Sequence, residues 1–219
     1  MKIVVMSCDK NKDLFKPFYK CMEKYWKNHS EIIYITETIE NPYYKTICKD
    51  YKDMEVWTKK IREAIQEIDD DKILLIVDDL FIRDYVDEER IKYVEDNLKG
   101  NIALFNFEKC FDIGDTECQY KGFKRRNPKG IVLTSLMCGM WQKEKLLTIL
   151  NITCQPWEIE RLNIGHNFEY YVNSEDWIIN FGYYHKPFSI TRGKWAREIV
   201  PFFEKEGIVV DYSERGFYD

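Results

Sequence analysis

Glycine is missing where phosphate-binding chains most often carry it. The chain has 219 residues with only 10 Gly and 6 Pro, and residues 7–13, just after the first strand pattern, contain no glycine. Neither Gly-x-x-x-x-Gly-Lys-Ser/Thr nor Gly-x-Gly-x-x-Gly occurs, so P-loop and dinucleotide-fingerprint chemistry find no support. Histidine is rare and dispersed, with 3 residues. The seven cysteines (8, 21, 48, 110, 118, 138 and 154) are scattered, odd in number and lack a Cys-x-x-Cys, so no zinc framework or disulfide scaffold emerges. That usage favours a reducing cytoplasm. A basic surplus is also missing: the net charge of −5 argues against a nucleic-acid partner. The first residues read as a strand rather than a signal region, and no run approaches the ~20 apolar residues of a spanning helix.

What is present is a core and an alternation. Hydrophobic residues make up 45%, with 15 Tyr, 13 Phe and 6 Trp, enough for one packed domain over 1–219. Strands are expected at Lys2–Ser7, Glu31–Thr36 and Ile73–Val77, with helices at Leu14–Trp26, Trp57–Ile68 and Glu88–Leu98. Residues 37–54 read as polar. The alternation through residue 98 predicts an α/β fold with a mostly parallel central sheet, residues 1–100 being the nucleotide-binding half. The second half, 101–219, is more irregular. Strands are expected at Asn101–Phe107 and Ile131–Leu133, and helices at Gln142–Leu150 and Gly193–Glu206. The aromatic stretch 168–184 reads as core or as a platform for a sugar acceptor.

Asp78 and Asp79 end the apolar run Ile73–Val77. A buried strand closing on two carboxylates needs water, a cation or hydrogen-bond donors there, and ligands of open α/β sheets bind outside the strand carboxyl ends. The pair reads as a site for a divalent cation and a phosphorylated ligand, or as an acidic solvated turn. Glu158 and Glu160 form a second acidic pair, in Pro156-Trp-Glu-Ile-Glu160. An extended segment would put both on one face, whereas a helix would separate them. Gln119–Lys129 holds five cations and no acid, either a solvated loop or a flap meeting phosphate or a membrane surface.

These pieces resemble the small bacterial GT-A-type glycosyltransferases of polysaccharide and lipopolysaccharide synthesis. The resemblance rests on Ser7-Cys-Asp-Lys10, Trp57-Thr58, Leu75-Ile-Val-Asp-Asp-Leu-Phe81 and Ser135-Leu-Met-Cys-Gly-Met-Trp141 with Lys143-Glu-Lys-Leu-Leu147. It continues through Pro156–Glu160, Gly193-Lys-Trp195 and Arg215-Gly-Phe217, in order over nearly the whole chain. It implies a single GT-A-like (Rossmann-like) domain and transfer from a nucleoside-diphosphate sugar, UDP favoured, to a glycan or lipid-linked hydroxyl acceptor. It also implies assistance from Mn²⁺ or Mg²⁺, although Asp-Asp stands where the family carries Asp-x-Asp. By the same resemblance Asp79 holds the metal, with Asp78 at the metal or the ribose, and Asp9, Trp57, Arg192 and Lys194 serve the donor nucleotide. Glu158, ahead of Glu160, is the expected base, with His166 a lesser candidate and Arg215 a possible diphosphate partner. Peripheral membrane contact is expected through 119–130. The alternatives are a non-catalytic module of this fold that binds a sugar nucleotide or a partner, and a nucleotidyltransferase, which the missing glycine loop disfavours.

Overall fold

The computed structural model describes residues 1–109, 114–130, 133–162, 164–182 and 189–218. In its first half, β1 (Lys2–Met6), α1 (Phe15–Tyr25), β2 (Ile32–Thr36), β3 (Lys45–Cys48), α2 (Trp57–Gln66), β4 (Lys72–Val77) and α3 (Glu88–Asn97) follow one another. Then come β5 (Ile102–Asn106), β6 (Thr116–Glu117), β7 (Phe123–Arg125), β8 (Cys138–Gln142), α4 (Lys143–Ile149) and α5 (Pro156–Arg161). Last are β9 (Glu169–Asn173), β10 (Ile190–Thr191), β11 (Lys194–Trp195) and α6 (Val200–Glu206).

Among the described residues, nine strands form one sheet in the order β3-β2-β1-β4-β8-β5-β9-β7-β6. β1 lies parallel to β2 and β4, β2 to β3, and β5 to β9, while β8 runs antiparallel between β4 and β5. The sheet is therefore mostly parallel in direction, as expected. Period-two alternation splits the strand side chains between two cores. Ile3, Val5, Leu74 and Ile76 pack with Phe18 of α1, Val94 of α3 and Phe203 of α6. Val4, Met6, Ile73 and Leu75 pack with Ile61 and Ile65 of α2, Leu146 of α4 and Ile159 of α5. Fully burying each such side chain contributes about 1.5–3 kcal/mol, which explains why bare apolar runs specify the strands.

The second half departs from expectation. The strand that lies between β4 and β5 in the sheet is β8; of the strand expected at 131–133, residues 131–132 lie outside the described residues and Leu133 sits in a bend. Glycine disguised β8. A Cβ on Gly139 would lie 2.6 Å from Leu104 Cδ1 and 2.9 Å from the Phe105 carbonyl oxygen, so β5 and β8 approach closely only because that position is bare. β3 was hidden within the polar stretch 37–54. The helix expected from Gly193 starts only at Val200, after the β10–β11 hairpin and a 3-10 turn at Arg197–Ile199.

Two segments that the sequence left with alternative readings take definite places in the fold. The basic segment contains the short strand β7, paired on one side with β9 and on the other with the edge strand β6, with Lys124 paired to Glu117, Arg125 to Glu169 and the buried Arg126 to Asp115. Three of its five cations are thus neutralised within the fold. In the aromatic stretch, Tyr170, Tyr171, Trp177 and Phe181 are all buried, so they are core rather than an acceptor platform; residues 183–184 lie outside the described residues.

Candidate functional site

The chain leaves β1 for β2 on one side and later crosses to β4 on the other, which makes the gap between β1 and β4 the switch point of this sheet. Ligands of open α/β sheets settle outside such points. A pocket of about 400 Å³ opens there, within the usual range for small-ligand sites. Its lining includes Ser7, Cys8 and Asn11 after β1, Glu37 after β2, and Asp78 and Asp79 after β4. Met54, Trp57 and Lys60 contribute from the α2 side, and Leu136, Met137, Pro156, Trp157 and Glu160 from the β8–α5 side.

Both aspartates reach this pocket because the strand has already ended. The ladder closes with Val77 N–H donating to the Met137 carbonyl and Asp78 N–H to the Met6 carbonyl, and Leu80 N–H then turns back to Val77. Asp78 is buried and each of its oxygens has a donor: Ser7 Oγ–H on Oδ2 and Asn11 Nδ2 at 3.0 Å on Oδ1. Asn11 is itself oriented by Arg215, whose Nη2 donates to Asn11 Oδ1 at 2.9 Å and to the Lys10 carbonyl at 2.9 Å. Arg215 also forks onto Asp13. Burial, then the neighbouring Asp79 charge, pushes the Asp78 carboxyl up to about 7, against the pull of Ser7, Asn11 and Arg215. Burial pushes Asp79 up to about 6, opposed by its own backbone amide and Arg215. Among the described residues the half-buried Asp79 has no side-chain donor comparable to those on Asp78, so its oxygens are the freer pair there.

Among the described residues no group of three or more His, Cys, Asp and Glu is arranged to hold a metal ion. The two aspartates nonetheless suit a hard cation of the magnesium kind, which is bound through one or two carboxylates and completes its shell with water and substrate phosphate. Two adjacent acids held above their ordinary range by burial are also a charge conflict that a cation relieves.

Beneath the pocket lies a network the sequence reading missed. Lys60, only 2% exposed, donates to the Ser7 carbonyl at 3.1 Å and pairs with Glu37 at 2.5 Å. Glu37 in turn accepts the Asp9 N–H. The available signal was a lysine next to the apolar stripe Trp57, Ile61, Ala64 and Ile65. The Cys8 thiol is raised to about 11 by burial and by Asp78 and Glu37, which makes it a poor nucleophile at neutral pH.

α5 resolves the second acidic pair. The segment is helical, so Glu158 and Glu160 diverge. Glu158 accepts the Gln155 N–H at 3.1 Å in a reciprocal capping box, and only Glu160 lines the pocket. Glu160 Oε1 accepts the Leu136 N–H at 2.9 Å, and burial raises its carboxyl against that bond and Arg161. Behind it, Glu108 accepts Ser135 Oγ–H at 2.6 Å, and burial raises Glu108 to about 7 with a smaller push from Glu160.

The remaining expected site residues lie elsewhere. Asp9 is turned toward the end of β2, accepting from Thr38 N at 2.9 Å, Thr38 Oγ1 at 2.6 Å and Ile39 N at 3.0 Å. Burial alone would raise it, but these bonds hold it below its ordinary value. It borders a separate shallow hollow with Lys10, Lys12 and Arg215. Arg192, at φ 51°, sits over the Tyr218 ring, and Lys194 is an exposed residue of β11; neither lines the pocket. His166 is exposed and away from it. Among the described residues no helix is long and apolar enough to cross a membrane.

No protein-family model and no curated protein matches the sequence. Solved structures do match the fold. The chain is similar to S. aureus TarS, a GT-A glycosyltransferase, with TM-score 0.51, 10% identity and 80% of this chain covered, although it spans only 35% of TarS. It is also similar to a cytidylyltransferase from Leptospira borgpetersenii, with TM-score 0.50, 8% identity, and 82% and 77% of the two chains covered. A nucleotidyl transferase from Methanothermobacter thermautotroptrophicus gives TM-score 0.50 and 12% identity over 80% and 87% of the two chains. The architecture is thus the GT-A-like one that glycosyltransferases and nucleotidyltransferases share.

Proposed function

We propose that the chain is a glycosyltransferase moving a sugar from a nucleoside-diphosphate sugar, UDP favoured, to a hydroxyl acceptor of a cell-surface glycan or its lipid-linked precursor, assisted by Mn²⁺ or Mg²⁺. One observation carries the reading: the Asp78–Asp79 pair and Glu160 line the same pocket from different walls. Asp79, with Asp78 behind it, would hold the cation. The cation, when bound, offsets the charge of the departing diphosphate. Asp78, fixed by Ser7 and Asn11, holds the crevice in shape and faces the ribose. Glu160 takes the acceptor hydroxyl proton as that oxygen bonds to the anomeric carbon and the diphosphate leaves, which corresponds to inversion.

The charge balance supports metal assistance. Glu37, Asp53, Asp78, Asp79 and Glu160 line the pocket against Lys52 and Lys60, and Lys60 is already spent on Glu37. A diphosphate entering without a cation meets an acidic wall. The same balance weighs against the nucleotidyltransferase reading, which must hold a triphosphate, and residues 7–13 offer no glycine turn to cradle one. Incubation with a UDP-sugar panel, Mn²⁺ and acceptor glycosides, followed by mass spectrometry, is expected to yield free UDP and a glycosylated acceptor. Pyrophosphate from a sugar phosphate and a nucleoside triphosphate would instead establish the second reading.

A further inference from the structure

A large aromatic side chain at a pocket mouth is worth explaining when it is both exposed and held. Trp157 is 55% exposed and lines the pocket. Its indole N–H donates to Gln155 Oε1 at 2.8 Å, and Gln155 is anchored in turn to Glu55, so the ring is fixed ahead of any ligand. One helical turn on, Glu160 projects from the same side of α5. Among the described residues Glu160 engages the protein through Oε1, which leaves Oε2 to face a ligand.

We propose that α5 carries an acceptor subsite for a pyranose ring, which stacks its C–H face on Trp157 and offers its hydroxyls to Glu160. The proposal rests on the glycosyl-transfer reading above and names the acceptor class for it. The π face of an indole is negative and favours the positive C–H face of a sugar. An ionised carboxylate is acceptor-only, so it suits a ligand whose edge is lined with hydroxyl donors. A pyrimidine stacked there would bring carbonyl oxygens toward that carboxylate. The fixed indole lowers the ordering cost of binding.

The test uses the full chain and methyl pyranosides of glucose, galactose and N-acetylglucosamine in saturation-transfer NMR, with UDP and Mn²⁺ affinity measured separately by calorimetry. Trp157→Ala is expected to weaken pyranoside binding about tenfold, while Trp157→Phe retains most of it. UDP–Mn²⁺ affinity is expected to stay within about twofold in both variants, because the proposal puts the nucleotide against Asp78 and Asp79 rather than against the indole. Equal loss of UDP and pyranoside in Trp157→Ala would overturn the proposal, making the indole a nucleobase wall. Unchanged pyranoside binding in that variant, or no binding of any of the three glycosides, would overturn it too. A wild-type chain that binds the pyranoside through Trp157 but not UDP would remove the donor reading and leave the subsite standing.

Discussion

Two acidic pairs in this chain look alike on paper and behave differently in space. Asp78 and Asp79 are adjacent, which in a continuing strand would send them to opposite faces; the turn after Val77 lets both line the pocket. Glu158 and Glu160 have the spacing that an extended segment would place on one face, yet α5 divides them into a helix cap and a pocket wall. Spacing along the sequence therefore means little until the backbone geometry is known.

The largest expected effect falls on the first pair. Asp79→Asn should lower sugar transfer by more than about a hundredfold, since it removes the freer carboxylate from the cation. A variant with near-normal Mn²⁺-dependent transfer would show that Asp78 alone suffices. The second pair is separated by matched variants assayed for transfer. Glu160→Gln should lower kcat about a hundredfold or more through loss of the base, while Glu158→Gln leaves kcat within about threefold. Equal losses would mean that the helix cap, rather than the base, controls the rate. Glu158→Ala should cost on the order of 1 kcal/mol of stability by thermal unfolding, as loss of a cap does.

The hold on Asp78 gives an intermediate effect. Arg215→Ala releases Asn11, and UDP–Mn²⁺ affinity should fall about tenfold by calorimetry, in the range of losses seen when a group behind a metal ligand is removed. Arg215→Lys should recover little, because an ammonium cannot reproduce the fork on Asp13. Full recovery would reduce Arg215 to a simple charge. The smallest effect lies behind Glu160. Glu108 is raised to about 7, so the folded state binds more protons than the unfolded one between its ordinary value and about 7, and stability falls as pH rises through that window. Glu108→Gln should therefore raise stability by on the order of 1–3 kcal/mol at pH 8 and by little below pH 4. An equal gain at both pH values would contradict the burial of that charge.

The first half of the fold was legible because its strands are uninterrupted apolar runs and its helices carry clear stripes. β8 was not legible, because Gly139 is required by the approach of β5, a tertiary fact that lowers the local strand signal. β3 hid for another reason: an edge strand with little buried surface leaves a weak pattern. At the site, Asp78, Asp79, Trp57 and Glu160 were named from the sequence and all line the pocket. Glu37, Lys60 and Trp157 were missed, since their roles come from segments far apart in the chain. Arg192 and Lys194 were named from the resemblance around Gly193-Lys-Trp195 and from their charge, and neither lines the pocket. Charge alone does not say where a flexible side chain ends.

Calorimetric titration of the wild-type chain with UDP, in the presence and absence of Mn²⁺, tests the account most directly. The acidic pocket predicts tight binding with Mn²⁺, at least about tenfold weaker binding without it, and loss of the difference in Asp79→Asn. UDP binding of equal strength with and without metal, or a metal effect that survives Asp79→Asn, would contradict it.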